Sequence, residues 1–423
     1  MKKLQTLLLT VLAMLFIVGY SNAEDRRFRW YIPQWTGVSF DSSHGHPRYM
    51  NNHFWELNSW AVNPAVTWDK HGNTLFFTEK FLINREYEII SNKRIHGEYY
   101  SYGTSHYGNA IHTMNFPMVV PMPGSDSLTY CIFSFDEGNY DKILNAIGSD
   151  EGQYHGADLY YSVIKFDPDY RNCESIVHRQ ILDTALCHQI ALCRHGNGSD
   201  VWAVCPKFYD GNYVSYLLTD AGIIDTVVSY GAESTRCFLK KGLIYYHNTF
   251  GQMKSTIDGN TIARSLIDSS IVELSNFNKT TGVVSNIKRL KNRPDNKLKW
   301  VSSLEFSANG RYLYANGHQF DLELGSEDDL YRNAKRIDLL PVHPGVNSEY
   351  DDKYPLKYLI DYQMGPDQKI YFIDKYPSNG HEPATGTLCV LENSNSQNPY
   401  VRKHCVAVPL NETAHFSTDL PEY

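Results

Sequence analysis

The feature that most constrains this chain is a polar corner that recurs between alternating apolar strands. It is clearest in "FSANGRYLYANGHQF", Phe306 to Phe320, where an apolar strand meets an Asn-Gly corner, an alternating strand follows, and a second Asn-Gly corner comes next. Such corners supply the positive φ angles that tight hairpins need. The form returns in "TWDKHGNTLFFT" from Thr67, "VVPMPGSDSLTYCIFSF" from Val119, "CRHGNGSDVWAVCPKF" from Cys193 and "QMGPDQKIYFID" from Gln363, with a degenerate copy, "FLKKGLIYYHNTF", from Phe238. The corners fall roughly 45 to 75 residues apart, longer than the ~40–45 of a minimal WD-type blade. Further strand-like runs, such as "LYYSVIKFD", "YVSYLLTDAGI", "SIVELSNFNKTTGVV" and "QFDLEL", would complete four-stranded units.

Long amphipathic helices are missing, and "EDDLYRNAKRIDLL" reads as a short insertion between blades. Two stacked β-sandwiches would need a linker, and no low-complexity or Pro-rich stretch divides the chain. Radial repetition leaves only short, protected edges. The expected fold is therefore all-β: a β-propeller of seven four-stranded blades, with six or eight as alternatives, formed by residues 24–423 as one domain. "RWYIPQWTGVSFD" is expected to close the ring by pairing with "RKHCVAVPL" or its neighbours. The 31 Tyr and 19 Phe suit half-buried pleated surfaces.

Residues 1–23 have the grammar of a secretory signal peptide. Lys2 and Lys3 precede an apolar run, Leu7 to Val18, and Ser21-Asn22-Ala23 offers small residues for cleavage. The run is too short to span a bilayer comfortably, and no later run is longer, so no transmembrane span is expected after cleavage. The expected location is the periplasm, the outer membrane surface or outside the cell. A formal net charge of -8 argues against nucleic acid as a partner. All eight cysteines lie in the exported part, where disulfides are permitted. Cys193 and Cys205, across the corner Gly196 to Asp200, are the candidate disulfide pair; small buried thiols on strands are the plainer reading.

The ordered pieces "WYIPQWTGVSFD", "GNTLFFT", "VVPMPG", "HGNGSDVWAV", "VELSNFNKTTGVVSN", "LEFSANGRYLYANGHQFDL", "QMGPDQKIYFID" and a closing "LPEY" resemble the WD-repeat-like propeller region of exported Bacteroidota proteins. That family is associated with gliding motility and type IX secretion. The resemblance implies a propeller and export, while the chain reaches Tyr423 with no C-terminal sorting domain after the repeats. It names no activity, because function lies in sites rather than folds.

Familiar catalytic signatures are missing: no GxSxG, HExxH, Walker loop or GxGxxG occurs. "TWDKHGNTLF" comes within one residue of a glycosidase Asp-box, but Lys70-His71 shifts the turn. No catalytic residue is assigned. Asp167, Asp169, Asp351 and Asp352 remain available as carboxylates for a glycosidase. His44, His46 and His53 in "DSSHGHPRYMNNH" are candidate zinc or copper ligands; a polar loop is the plainer reading. The segment "IHGEYYSYGTSHYGNAIHTMNF" offers Tyr99, Tyr100, Tyr102, Tyr107 and His112 as a ligand-binding surface. Tyrosine rings there would stack on a sugar or bury in a protein interface, or else pack between blades. No cofactor is expected, although Ca²⁺ is an option at the acidic stretches Ser326 to Asp329, Asn347 to Tyr354 and Phe166 to Asn172.

Three functions are therefore open. The first is a non-enzymatic binding or scaffold propeller of the cell envelope, recognising a protein or glycan through axial inter-blade loops. The second is a carbohydrate-active enzyme, a glycosidase or lyase, with carboxylates at the channel mouth. The third is an accessory component of a secretion or gliding apparatus.

Overall fold

A computed structural model describes strands within 28–51 and 65–78, most of 81–95, 117–136, most of 156–339, and most of 359–375 and 385–409. The described residues are almost entirely β, arranged as successive antiparallel meanders. Sheet A holds β1 (Phe28–Ile32), β2 (Thr36–Phe40) and β3 (Arg48–Asn51). Sheet B holds β4 (Ala65–Trp68), β5 (Thr74–Thr78), β6 (Leu82–Asn84) and β7 (Ile89–Ser91). Sheet C holds β8 (Met118–Pro121), β9 (Thr129–Asp136), β10 (Ala157–Phe166) and β11 (Cys173–Leu186). Sheet D holds β12 (Ala191–Arg194), β13 (Val201–Pro206), β14 (Asn212–Thr219) and β15 (Gly222–Tyr230). A hairpin, β16 (Arg236–Lys240) and β17 (Leu243–His247), forms sheet E.

Sheet F follows with β18 (Met253–Ser255), β19 (Thr261–Leu266), β20 (Ile271–Asn278) and β21 (Val283–Lys291). Sheet G has β22 (Leu304–Phe306), β23 (Tyr312–Ala315), β24 (His318–Asp321), a short helix α1 (Glu327–Arg332) and β25 (Lys335–Arg336). Sheet H combines β26 (Asp338–Leu339) with β27 (Leu359–Met364), β28 (Ile370–Lys375), β29 (Thr385–Glu392) and β30 (Tyr400–Pro409). The first strands touch in chain order: β1 meets β4, β4 meets β8, β12 meets β18, β18 meets β22 and β22 meets β27. These inner strands surround an axis, and β3 meets β30 where the last sheet comes back to the first. This is a β-propeller.

One corner recurs in four sheets and explains the sequence repeat. Ser307 N–H donates to Tyr312 O at 2.8 Å and Gly310 N–H to Ser307 O at 2.8 Å. The same two bonds run from Thr256 and Gly259 and from His195 and Gly198, and Gly365 and Gln368 repeat them with the first bond one residue shorter, to Lys369 O. The residue between, Asn309, Asp258, Asn197 or Asp367, accepts a backbone N–H two positions on. The fourth position is left-handed each time, with φ of 70° at Gly310, 68° at Gly259, 82° at Gly198 and 62° at Gln368. The corner of sheet F, "STIDGNT" from Ser255, is a copy that the repeat reading missed. The degenerate copy from Phe238 is instead the separate hairpin of sheet E.

Among the described residues, five gaps between sheets hold apolar clusters. Phe76, Tyr130 and Phe166 fill the gap between B and C, with Phe76 and Phe166 stacked at 4.4 Å. Phe133, Leu159, Ala203 and Leu218 join C to D. Trp202, Val204, Ile262 and Phe277 join D to F. Val272, Leu290, Leu304 and Phe320 join F to G, and Tyr314, Tyr362 and Phe372 join G to H. Strand β13, "VWAVCP", is buried throughout because alternate residues enter two different gaps. Trp202 is anchored by its indole N–H on Lys279 O at 2.8 Å. A Cβ on Gly282 would meet its ring at 2.7 Å, so that position needs glycine.

Three expectations are corrected. Cys193 and Cys205 are free buried thiols, because β-strand alternation turns Cys193 toward F and Cys205 toward C. The β1 segment pairs with β2 inside sheet A, while β30 pairs with β29 and β26, so among the described residues the first and last sheets meet without sharing a ladder. The helix α1 lies within sheet G, between β24 and β25, rather than between sheets.

The meander gives the molecule two unlike ends. First-to-second and third-to-fourth turns share one end, which is made mainly of short turns such as 195–200, 256–261, 307–312, 167–172 and 220–221, with α1 the larger insertion. Second-to-third turns and sheet-to-sheet connections share the other. The strand ends that flank the long stretches 92–117, 137–156, 231–252, 292–303 and 340–358 lie at that end. We call these the corner face and the connection face.

Candidate functional site on the propeller axis

The inner strands carry a polar cluster at equivalent positions. Lys254, Glu305 and Gln363 each stand two residues before the first residue of a corner, on β18, β22 and β27. They are 9%, 3% and 8% exposed. Lys254 Nζ donates to Gln363 Oε1 at 3.0 Å and lies 3.8 Å from Glu305 Oε2. Glu305 Oε2 also accepts Met364 N–H at 3.1 Å, and Oε1 accepts Phe306 N–H at 2.9 Å. Strand alternation places these side chains opposite Leu304 and Phe306, which fill the F–G core.

A second polar layer lies one step toward the connection face. Gln189 Nε2 donates to Ser265 O at 2.8 Å, and Gln252 N–H donates to Ser265 Oγ at 2.8 Å. Gln252 Oε1 accepts both Ser303 Oγ–H at 2.9 Å and Leu304 N–H at 2.8 Å. Ser303 Oγ in turn accepts Tyr362 N–H at 2.7 Å. The layer runs from D through F and G to H, and it fixes the inner strands relative to one another. A buried charge is tolerated only when paired and hydrogen-bonded, and both conditions hold at Glu305.

Between D and F a further buried network centres on Glu273. Its carboxylate receives Tyr213 Oη–H, Arg264 Nε at 3.0 Å, Arg289 Nε at 3.1 Å and Glu233 N–H at 2.8 Å. Burial pushes the Tyr213 hydroxyl well above its ordinary pKa, so it stays protonated and donates. This network cements two sheets.

The sequence missed the axial residues, although two of them sit inside quoted repeats. The available signal was a polar residue at one fixed distance before the corner in "MKST", "LEFS" and "YQMG". Tyr99, Tyr100, Tyr102, Tyr107 and His112 lie outside the described residues, in the stretch between β7 and β8. His44, His46 and His53 also lie outside them. Among the described residues, no three His, Cys, Asp or Glu side chains are grouped to hold a metal ion. Of the acidic stretches, Ser326 to Asp329 caps α1: Ser326 Oγ accepts Asp329 N–H at 3.1 Å. In Phe166 to Asn172, Asp167 closes its own turn on Arg171 N–H and Asn172 N–H. The stretch Asn347 to Tyr354 lies outside the described residues.

Strand order, successive cores and axial cluster together define a propeller whose inner strands are locked by side chains. The structure is similar to the periplasmic gluconolactonase PpgL of Pseudomonas aeruginosa, with 9% identity over 93% of this chain and 88% of that one, at a TM-score of 0.40. It is similar to the Dos1 propeller, with 9% identity over 92% and 86% of the chains, at a TM-score of 0.42. A functionally unknown protein from Desulfotomaculum acetoxidans shares 12% identity over 93% and 99%, at a TM-score of 0.45. No known family and no curated protein matches the chain. No helix of the described residues is long and apolar enough to cross a membrane.

Proposed function

We propose that this protein is an exported, non-enzymatic binding or scaffold propeller of the cell envelope or cell surface, which recognises a protein or glycan through its connection face. The observation that carries this reading is the asymmetry of the two ends: short self-bonded turns trim one face, and the long sheet-to-sheet stretches belong to the other. Loops set on a rigid scaffold are where binding residues concentrate. The Tyr-rich stretch with Tyr99, Tyr100, Tyr102 and Tyr107 belongs to that set of connections by chain order. The leader-like residues 1–23 and the ordered repeat motifs support an exported Bacteroidota setting.

Glycoside hydrolysis needs two carboxylates held across the scissile bond. Among inner-strand residues with described side chains, the carboxylate is Glu305, already engaged by Lys254 and two backbone N–H groups. That favours binding over hydrolysis. The test is capture of envelope extract and solubilised surface glycans on the immobilised chain 24–423. Stoichiometric retention of one envelope protein or one intact glycan is expected. Shortening of a retained glycan would overturn the reading in favour of an enzyme.

A further inference from the structure

At the outer rim of the connection face, sheets C and D enclose a second polar site. The end of β11 leaves its own ladder there: Phe208 N–H donates to Ala185 O at 2.7 Å and Cys187 N–H to Pro206 O at 2.9 Å. Register shifts at Leu159 and a φ of 59° at Ala185 mark the same place. Bulges re-aim side chains, and a left-handed alanine persists only where its surroundings hold it. The result turns Asp183 from sheet C onto sheet D. Its carboxylate accepts Lys207 Nζ at 2.6 Å and the hydroxyl of Tyr216, while Lys207 Nζ also donates to Thr184 O at 3.0 Å. Asp183 and Lys207 each remain 21% exposed, so both keep a side open to solvent.

An aromatic residue shares the row of Lys207 across β14. Tyr230 is 79% exposed, and its side chain makes no hydrogen bond or ring contact among the described residues. Its neighbour Ser229 turns toward F, accepting Val284 N–H at 2.9 Å, so alternation turns Tyr230 toward C. Tyr230 is paired with Asn212, whose carbonyl accepts Lys207 N–H at 2.8 Å. From sheet C, half-buried Tyr161 donates to Gln180 Oε1 at 3.0 Å on the same side. A carboxylate and an ammonium fixed to each other, an amide and a bare tyrosine ring are groups that bind vicinal hydroxyls and stack on a pyranose face.

We propose that Asp183, Lys207, Gln180, Tyr161 and Tyr230 form a binding subsite for a neutral oligosaccharide. This rests on the reading of the connection face as a binding face and gives one place on it a ligand class. The opposed charges of Asp183 and Lys207 cancel, which favours neutral sugars over polyanions.

The experiment measures binding of maltohexaose, cellohexaose and mannohexaose to the chain 24–423 by calorimetry. One of the three is expected to bind, with affinity lowered about tenfold by Tyr230→Ala, whose exposed side chain leaves folding undisturbed. Asp183→Asn, which keeps the shape and loses the charge, is expected to weaken the same sugar. Binding to none of the three, or binding unchanged in Tyr230→Ala, would overturn the proposal. Failure here while capture on the connection face persists would remove the subsite and leave the function proposed above. Loss of both would remove both.

Discussion

Lys254 and Glu305, on the inner strands of neighbouring sheets, stand 3.8 Å apart and almost fully buried, with Gln363 of the next sheet bonded to the same ammonium. Three sheets are thus tied near the axis by side chains that alternate away from the apolar gaps. Glu305→Leu leaves Lys254 buried without its carboxylate and strands Met364 N–H. It is expected to cost about 3 kcal/mol or more, because removing one member of a buried pair leaves an uncompensated charge. Lys254→Met combined with Glu305→Leu is expected to recover much of that loss. Urea denaturation of both variants checks this; equal losses would mean that the pair is not coupled.

The recurring corner makes a separate prediction. Gly310 has a φ of 70°, and a Cβ there would meet only the Thr256 side chain, at 3.4 and 3.7 Å. Gly310→Ala is therefore expected to cost about 1–2 kcal/mol through backbone strain alone. Gly259→Ala, at the matching place in sheet F, is expected to cost at least as much, because its Cβ would also meet Lys279 Cδ at 3.2 Å. Thermal denaturation compares the two.

A pH dependence follows from His318. Its Nδ1–H donates to Asn316 O at 2.9 Å. Burial lowers its pKa below the ordinary 6.5, and nearby Lys297 and Arg336 lower it further against the pull of the Asn316 carbonyl and Asp295. The unfolded chain therefore binds this proton more readily. Stability from this site is complete above the unfolded pKa and falls as pH drops toward the folded one. Melting temperatures measured from about pH 7.5 down to about 5.5 should fall more steeply for the native chain than for His318→Gln. Parallel slopes would contradict the assignment.

The thiols give a chemical test. Peptide mapping without reductant is expected to recover Cys193 and Cys205 on separate, alkylatable peptides, since they face different cores. A linked peptide would contradict the fold of β12 and β13.

Much of the architecture was legible in the sequence, because Asn-Gly and Asp-Gly corners are local chemistry. The hairpins at Phe306, Cys193, Val119 and Gln363 all form near where the repeat places them. The copy from Phe238 misled because Lys240-Lys241-Gly242 mimics a corner, whereas the true corner of sheet F, at Asp258-Gly259, lay some residues on. Cys193 and Cys205 looked like facing neighbours because a corner separates them. Their opposite orientations depend on register, which spacing alone does not reveal. The axial and rim residues were hidden for a related reason. Lys254 meets Gln363, and Asp183 meets Tyr216, only once separate sheets pack side by side.

The most direct test of the connection face is hydrogen–deuterium exchange of the chain 24–423 with and without its captured envelope ligand. Protection is predicted in 92–117 and 340–358 and around Gln189, Gln252 and Ser303, with the corners at 195–200, 256–261 and 307–312 unchanged. Protection confined to those corners would contradict the account, because the ligand would then occupy the opposite face.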